Sequence, residues 1–596
     1  MSKSLTSRTT LDNLKKEAKR WLKALRSGDV DARVRLLRAY AAAPAEPGLR
    51  DVQHALAHEY GLASWAALKT ALAEGSGASK SSPAPDHAQR VAWFLEQACA
   101  VLVNGPAART RRMNAAARLL KYHPEIAHDS IYTAVVAGDL AEVQNILAER
   151  PAAAREKTLA VVSDQAEFGA KEWEPLMFLC YARLPALEAS DNAVPIARLL
   201  LEHGADPNAH HYTGSPPHRY TALCGVVGEG EEATPRHPEA RALVELLLEY
   251  GAEPYDVQLF YNTHFRGDIL WLLELVYDYS LKAGRRADWD DPAWPMINLG
   301  NYGKGARYLL TVAINANNVA LAEWLLGHGA DPNARPVPHP RVSQRSLHEE
   351  ALARGRIAIA DLLVRSGARP SAPIPPDGLS AFTASCFRLD RAELQRMLAV
   401  HPEYLYAPGP IHAATAADRV DIVEMLLELG VSPEIEDPKE GNQRPLHTAG
   451  YCGAVRVAKL LIERGAEIDP IETNWNNTPL DAAIYSEQAG MIELLGRYSS
   501  QIWNLTFIGQ VNRLRELFGE KPELARTVGT GSTPLMWLPD DESLALAIVE
   551  LYAAHGADPS VISKKGKTAA DYAAQRGLEA AAARLRRLAD ASGRGA

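Results

Sequence analysis

The sequence predicts an all-α solenoid: short helix–turn–helix units stacked one on the next, behind a small helical segment at the N-terminus. Three observations lead there. A leucine pair, closed two or three residues later by Gly-Ala-acid, recurs along most of the chain. The recurrences fit a unit of roughly 33 residues. And the 596 residues are 47% hydrophobic and 23% charged, ordinary values for a folded chain but too many residues for one compact core.

The recurring phrase reads LLLEHGADPNA around Gly204, LLLEYGAEPYD around Gly251 and WLLGHGADPNA around Gly329. It returns as DLLVRSGARP at Gly367, MLLELGVSPE at Gly430, KLLIERGAEID at Gly465 and ELYAAHGADPS at Gly556. A second form carries proline in place of glycine, at Pro124, Pro151, Pro402 and Pro522. Gly430 to Gly465, Gly367 to Pro402 and Pro522 to Gly556 are each one unit apart. Longer gaps, such as Gly251 to Gly329, leave room for extra residues or a worn copy.

Each unit reads as two short helices. The first opens on a cap and a proline, as in RPLHTAGYCGA at 444–454, NTPLDAAIYSEQAG at 477–490 and STPLMWL at 532–538, while KTAADYAAQRG at 567–577 keeps the threonine cap. Threonine accepts from an orphan N–H of the first turn, and proline suits the first helical position. The second helix carries the leucine pair. The glycine ends it, because the chain must there enter a left-handed conformation.

This pattern resembles the ankyrin repeat family, whose unit runs T-P-L-H-x-A-A, a short turn, V-x-x-L-L, then G-A-D-x-N. RPLHTAGYCGAVRVAKLLIERGAEID matches it over a whole unit, and GPIHAATAADRVDIVEMLLELGVSPE nearly so. The resemblance covers about 115–590, in perhaps a dozen units. It implies first helices lining a concave face, with the loops after GADPN projecting as fingers on the same side. It also implies a surface that recognises a protein partner. His348, His412 and His447 stand at the histidine position of the first helix, which the family uses for hydrogen bonds between units.

The expected organisation is a basic helical segment at 1–74, a flexible linker at 75–86 and a repeat array over 87–590. An irregular insertion falls at 280–306 and a disordered tail at 591–596. LDNLKKEAKRWLKALRSG spaces Leu11, Leu14, Ala18, Leu22 and Leu25 as a helix does. This segment is similar to N-terminal helical segments of some bacterial ankyrin proteins. Residues 1–40 hold eleven basic residues against four acidic ones, a local excess of about +7. Such a helix could serve nucleic acid or an anionic membrane, but a solvated amphipathic face explains it as well. The net charge of -9 gives no general pull toward nucleic acid.

The chain has neither an apolar signal run nor a stretch that would span a bilayer, so a cytoplasmic location is expected. Its five cysteines, Cys99, Cys180, Cys224, Cys386 and Cys452, are scattered among apolar residues and contain no CxxC pair, which favours buried, reduced thiols over disulfides. His54 and His58 share a helical face but lack further zinc ligands. His210, His211 and His218 crowd one finger, which reads as an exposed recognition loop. No Walker loop, GxSxG elbow or dinucleotide fingerprint occurs. No catalytic residue, metal or cofactor is therefore expected.

The leading functional expectation is a scaffold or adaptor that holds a protein partner by its concave face and fingers. The alternatives are an enzyme with its site in the repeat groove or at 255–306, and a nucleic-acid or membrane binder acting through the N-terminal helix. IDPIETNWNNTPL at 468–480 runs from one unit's end to the next unit's cap, so its tip should be a finger turn. Asn474 suits a turn and Trp475 does not; the tryptophan either anchors a partner or folds back on the adjacent finger. Lys439 and Arg444 fall on the neighbouring finger. His211 and Tyr212 in the histidine-rich finger, and Trp289 and Trp294 in the insertion, complete the candidate partner-binding set, although the insertion could instead simply pack over the array.

Overall fold

The computed structural model describes residues 11–27, 29–40, 43–44, 46–60, 62, 64–65, 68, 84–99, 106–158, 172–184, 191–213, 218–230, 234–264, 267–297, 305–338, 343–354, 356–370, 378–529 and 531–594. The chain divides into two compact units, residues 1–82 with 586–596 and residues 83–585.

The first unit contains α1 (Leu11–Arg26), α2 (Val30–Ala39) and α3 (Leu49–Glu59). Leu14, Ala18, Trp21, Leu36, Val52 and Leu56 form its core. Lys15, Lys19, Arg20 and Lys23 stay on the solvent side of α1, so much of the basic surplus is a solvated face. Arg35 is different. It lies 3.8 Å over the Trp21 ring and pairs with Glu17 and Glu59 at 2.6 Å each, tying the three helices together. Of the expected linker, residues 75–83 lie outside the described residues, as does Tyr302 of the insertion.

The second unit is a succession of antiparallel helix pairs. They run α4 (His87–Ala98) with α5 (Pro106–Tyr122), α6 (Ile131–Ala137) with α7 (Leu140–Glu149), and α8 (Pro175–Tyr181) with α9 (Ala193–Glu202). A hairpin of β1 (His210–Thr213) and β2 (His218–Thr221) follows, pairing His211 with Tyr220. Next come α10 (Ala222–Val227) with α11 (Ala240–Glu249), α12 (Val257–His264) with α13 (Leu270–Lys282), α14 (Gly305–Asn315) with α15 (Val319–Gly327), and α16 (Leu347–Ala353) with α17 (Ile357–Arg365). The series continues as α18 (Gly378–Phe387) with α19 (Arg391–Val400), α20 (Gly409–Ala416) with α21 (Val420–Glu428), and α22 (Pro445–Cys452) with α23 (Val455–Glu463). It closes with α24 (Pro479–Tyr485) and α25 (Ala489–Gly496), α26 (Ile502–Ile508) and α27 (Val511–Glu520), α28 (Glu542–Ala554), and α29 (Ala569–Gln575) with the part of α30 (Glu579–Arg594) that precedes residue 586. Where STPLMWL predicts a first helix before α28, a single 3₁₀ turn forms at Pro534–Trp537. The fold is therefore an all-α repeat solenoid, with one short hairpin as its only named sheet among the described residues.

Side chains of the recurring phrase join one unit to the next. Asn208 donates from Nδ2 to the Gly251 carbonyl at 2.9 Å and accepts from the Glu253 N–H at 2.8 Å. Asn333 repeats this with Gly367 and Arg369, at 2.9 Å in both bonds. Asp206 and Asp331 hold each asparagine by accepting its backbone N–H at 2.8 Å, which is why the phrase pairs Asp with Asn two residues on. His447 reaches the Asn477 carbonyl at 3.1 Å and His412 the Thr448 hydroxyl at 2.7 Å, each in the following unit. The histidines before the glycine act locally. His203, His328 and His555 each place Nδ1 2.7–2.8 Å from the carbonyl four residues back, folding the ring onto the last turn of its own helix.

The two forms of the phrase end differently. At Gly430 φ is +102°, the left-handed state expected of a helix-closing glycine, and the other six glycines of the phrase share the positive sign. At Pro124, Pro151, Pro402 and Pro522 the helix instead stops at a residue with negative φ, outside the helical region, and the proline opens a 3₁₀ turn. A fixed φ near −65° cannot serve the left-handed turn but suits the first position of a new one.

The insertion packs on the array. Trp294 is fully buried and Trp289 is 6% exposed. Their rings lie 5.1 Å apart, and Trp289 also meets Tyr277 at 5.0 Å. Gly305 is required at the insertion's return, since a Cβ there would stand 1.7 Å from the Ala293 carbonyl oxygen. Of the cysteines, Cys99, Cys180, Cys224 and Cys386 are buried as expected. Cys452 is exposed, because it ends α22 on the solvent side.

The two ends of the second unit meet. Helix α5 lies against the last units, where Arg118 donates to Asp540 at 3.2 Å and to the Arg576 carbonyl at 2.9 Å. Arg576 donates to Asp540 at 2.6 Å, and Arg111 lies 3.7 Å from it. Burial alone would raise the Asp540 carboxyl, but the guanidiniums of Arg576, Arg111 and Arg118 together hold it below the usual aspartate value.

Leu426 is fully buried and Leu460 is 8% exposed. Leu426→Ala or Leu460→Ala should destabilise the neighbouring units by about 2–5 kcal/mol, as for other buried leucines. Urea unfolding followed by circular dichroism should show this as an early, local step, since the units are coupled to neighbours. A loss under about 0.5 kcal/mol would contradict the packing described.

Asp540→Asn should release α5 and cost about 2 kcal/mol, at the low end for a buried ion pair because part of the carboxylate remains exposed. A depressed folded-state pKa contributes stability above the unfolded value, near 3.9, that is lost as pH falls through the folded value. The wild-type chain should therefore lose this junction only in acid, and Asp540→Asn should lack that acid limb. Hydrogen exchange over 106–122 between pH 2.5 and 7 reads both effects.

Candidate partner-binding face

Finger 468–478 is built from its interior outward. Glu472 is fully buried, yet its carboxylate has three backbone partners. It accepts the N–H groups of Asn474, Trp475 and Asn477 at 2.7, 2.8 and 3.0 Å. A carboxylate bonded this way folds the loop around itself, as charge-assisted bonds to N–H groups are among the stronger ones available. Asn476 takes the left-handed conformation at φ +56° that closes the turn.

The finger also rests on its predecessor. Thr473 donates its N–H and its hydroxyl to the Gly441 carbonyl, at 2.8 and 3.0 Å. Gly441 is needed for this approach, because a Cβ there would meet Asn474 Cγ at 2.4 Å. The result is a held backbone that presents Trp475 with 74% of its surface in solvent. Asn474 is exposed beside it, and Lys439 is exposed at the tip of the preceding finger.

Arg444 sits between the two fingers but faces inward. Its guanidinium pairs with Glu434 at 2.5 Å, Glu467 at 2.6 Å and Glu436 at 3.4 Å. It acts as a strut across the finger bases, and its charge is already matched. Sequence order alone places Arg444 beside Lys439. Glu434 and Glu436 come from its own finger, and stacking of the next unit adds Glu467.

The remaining candidates separate in the same way. Tyr212 is 62% exposed on the hairpin finger. His211, on the alternate face of that strand, turns inward and is not an exposed recognition residue. It stacks on Tyr220 at 5.6 Å between Trp173 and Tyr181, and burial pushes its pKa down to about 4. Trp289 and Trp294 belong to the aromatic packing under the insertion, so the surface reading fails for both. The tip of the hairpin, residues 214–217, lies outside the described residues.

Other apolar side chains are exposed as well. Ile471 shares the finger of Trp475, while Val528 and Ile562 stand on the fingers near α27 and α29. Tyr485 at the end of α24 and Trp537 on the 3₁₀ turn are half exposed on the first-helix side. Neither was marked by sequence reasoning. Each lies within an apolar run, PLDAAIY or PLMWL, where periodicity points to core. Among the described residues no group of three or more His, Cys, Asp or Glu side chains is placed to hold a metal, and no helix is long and apolar enough to cross a membrane.

Comparison with known proteins agrees with this architecture. Residues 411–506 match the family profile "Ankyrin repeats (3 copies)", and residues 307–336 match "Ankyrin repeat". The chain is 34% identical over 98 residues to mouse ankyrin repeat and SOCS box protein 11, covering 16% of this chain and 29% of that protein. It is 33% identical over 89 residues to the rice potassium channel KOR2, covering 15% of this chain and 12% of the channel. It is 36% identical over 75 residues to the Arabidopsis thaliana potassium channel GORK, covering 13% and 9%. The chain thus spans less than a third of each of these relatives. A solved ankyrin repeat domain from Acinetobacter baumannii is 21% identical, with a TM-score of 0.24, and covers 30% of this chain and 97% of that one. In its repeats and their packing, the chain is an ankyrin repeat protein.

Proposed function

We propose that the chain is a protein-interaction module whose contact face is centred on the finger at 468–478. One observation carries the reading: a tryptophan stands mostly in solvent on a backbone braced by a buried carboxylate. An exposed indole on a loose loop would lose conformational freedom on binding. On a braced loop that cost is already met by the fold. Tryptophan is also the residue type most enriched among energetic anchors of interfaces. Ile471 supplies an exposed apolar side chain on the same finger, and Lys439 and Asn474 exposed polar ones beside it. An exposed, braced indole is a contact element for a protein surface, so the reading is binding.

The test places a photoreactive side chain at position 475 to identify the partner, followed by calorimetry with that partner purified. Trp475→Ala should weaken binding about 30-fold, near 2 kcal/mol, with helix content unchanged. Glu472→Gln, which loosens the finger but keeps the indole, should weaken it less. Tyr212→Ala on the distant hairpin should leave it unaltered. Unchanged affinity in Trp475→Ala would remove the finger from the interface.

A further inference from the structure

An acidic surround and an open row of aromatic rings meet at the finger that carries Trp475. The fingers at 431–444 and 465–478 hold seven carboxylates against two cations, Lys439 and Arg444. Arg444 pairs with three of the seven, so its single charge leaves two of those uncancelled. Glu472 takes backbone N–H groups, which satisfy its oxygens and leave its charge in place. One of those N–H groups belongs to Trp475 itself, at 2.8 Å. The exposed indole is therefore rooted at a buried negative charge, with Glu440 in solvent on the adjoining finger beside Lys439.

The rings continue from the finger onto the first helices. Asn477 donates from Nδ2 to the Tyr451 hydroxyl at 3.5 Å, and the Tyr451 and Tyr485 rings lie 6.4 Å apart. Tyr485 keeps 45% of its surface in solvent, with Glu487 exposed two residues on. Tyr451, Tyr485 and Phe507 hold the same position in three successive units. Each stands two residues before the left-handed residue that follows its helix, at Gly453, Glu487 or Gly509. At Phe507 that position already has an occupant, because Arg111 of α5 lies 3.7 Å over the ring. The same helix lies against α24, which carries Tyr485. The chain itself thus shows, one unit further on, what this position takes: a guanidinium laid on an aromatic face.

The face of an aromatic ring is its negative pole, and tryptophan offers a cation the strongest such site. Arginine suits it better than lysine does, because the planar, weakly hydrated guanidinium can stack. A surplus of carboxylates attracts a basic partner and repels a polyanion such as nucleic acid. Taking the finger at 468–478 as a partner contact, we propose that it recognises a basic protein segment, with one arginine laid on Trp475 and a second on Tyr485. Arg111 on Phe507 is the intramolecular copy of that contact. An apolar partner would use the same indole but draw nothing from the carboxylates. The two kinds of partner therefore differ in their response to salt and to loss of the aromatic face.

Calorimetry on the full chain tests this with peptides of equal length in which serine alternates with arginine, with lysine or with citrulline. The arginine peptide should bind with a dissociation constant below about 100 μM at low salt, weakening at least about fivefold toward physiological salt. The lysine peptide should bind about threefold more weakly, and the uncharged citrulline peptide at least about tenfold. Trp475→Leu, which keeps an apolar side chain but removes the aromatic face, should reduce arginine-peptide affinity at least about fivefold with circular dichroism unchanged. Tyr485→Leu should reduce it about threefold. Glu440→Gln with Glu487→Gln should flatten the salt dependence. Absence of binding at millimolar arginine peptide, equal affinity for the citrulline peptide, or unaltered affinity in Trp475→Leu would overturn the proposal. The finger would remain a contact if Trp475→Ala still weakened the purified partner, and would be lost with the proposal if it did not.

Discussion

A pair of short antiparallel helices has an apolar stripe on each helix and too little partner surface to bury both. This constraint governs the array. Every unit must lay its stripe against the next, so the core runs along the chain through contacts between neighbours. Leu426, Leu461 and Leu495 share one cluster because successive units deliver the same position to the same seam. The polar cross-links follow from the same requirement. Stacking brings Asn208 to Gly251 and Asn333 to Gly367 at matching distances, so one side-chain device recurs wherever the phrase recurs.

Regular stacking also produces the features that depart from it. A finger can be held only if its neighbour is fixed, and Thr473 finds the Gly441 carbonyl because both units are locked by their cores. The exposed Trp475 therefore rests, through Glu472 and Gly441, on buried leucines well away from it. The insertion at 286–297 is held in a comparable way. Its tryptophans fill space on the second helices α13 and α15, packing that a bare pair of units would leave in water.

The junction between α5 and the last units carries a different kind of energy. Its contacts are guanidinium to carboxylate and guanidinium to carbonyl, with Phe507 beneath Arg111. Such contacts orient strongly and lose strength with acid or salt, whereas the apolar seams do not. The array thus has two classes of interface, permanent ones between sequence neighbours and a charged one between its ends.

The unit, its period and its caps were legible in the sequence because they are local. Glycine at a left-handed position, threonine at a cap and leucines at helical spacing each answer to their own few residues, and Gly430, Thr478 and Leu426 behave as such rules require. Trp475 was legible too, since an indole among asparagines has no local apolar partner. What the tertiary structure decided concerns residues whose partners are distant in sequence. Arg444 and Lys439 look equivalent in the chain, yet Glu467 of the next unit, joining Glu434 and Glu436 of the same finger, takes one and leaves the other in solvent. His211 and Tyr212 are adjacent, and strand alternation buries the first while exposing the second. Arg111 and Asp540 lie more than four hundred residues apart, and no periodicity announces their meeting. Local chemistry sets the repeat, and the accumulated geometry of many repeats sets which charges face one another.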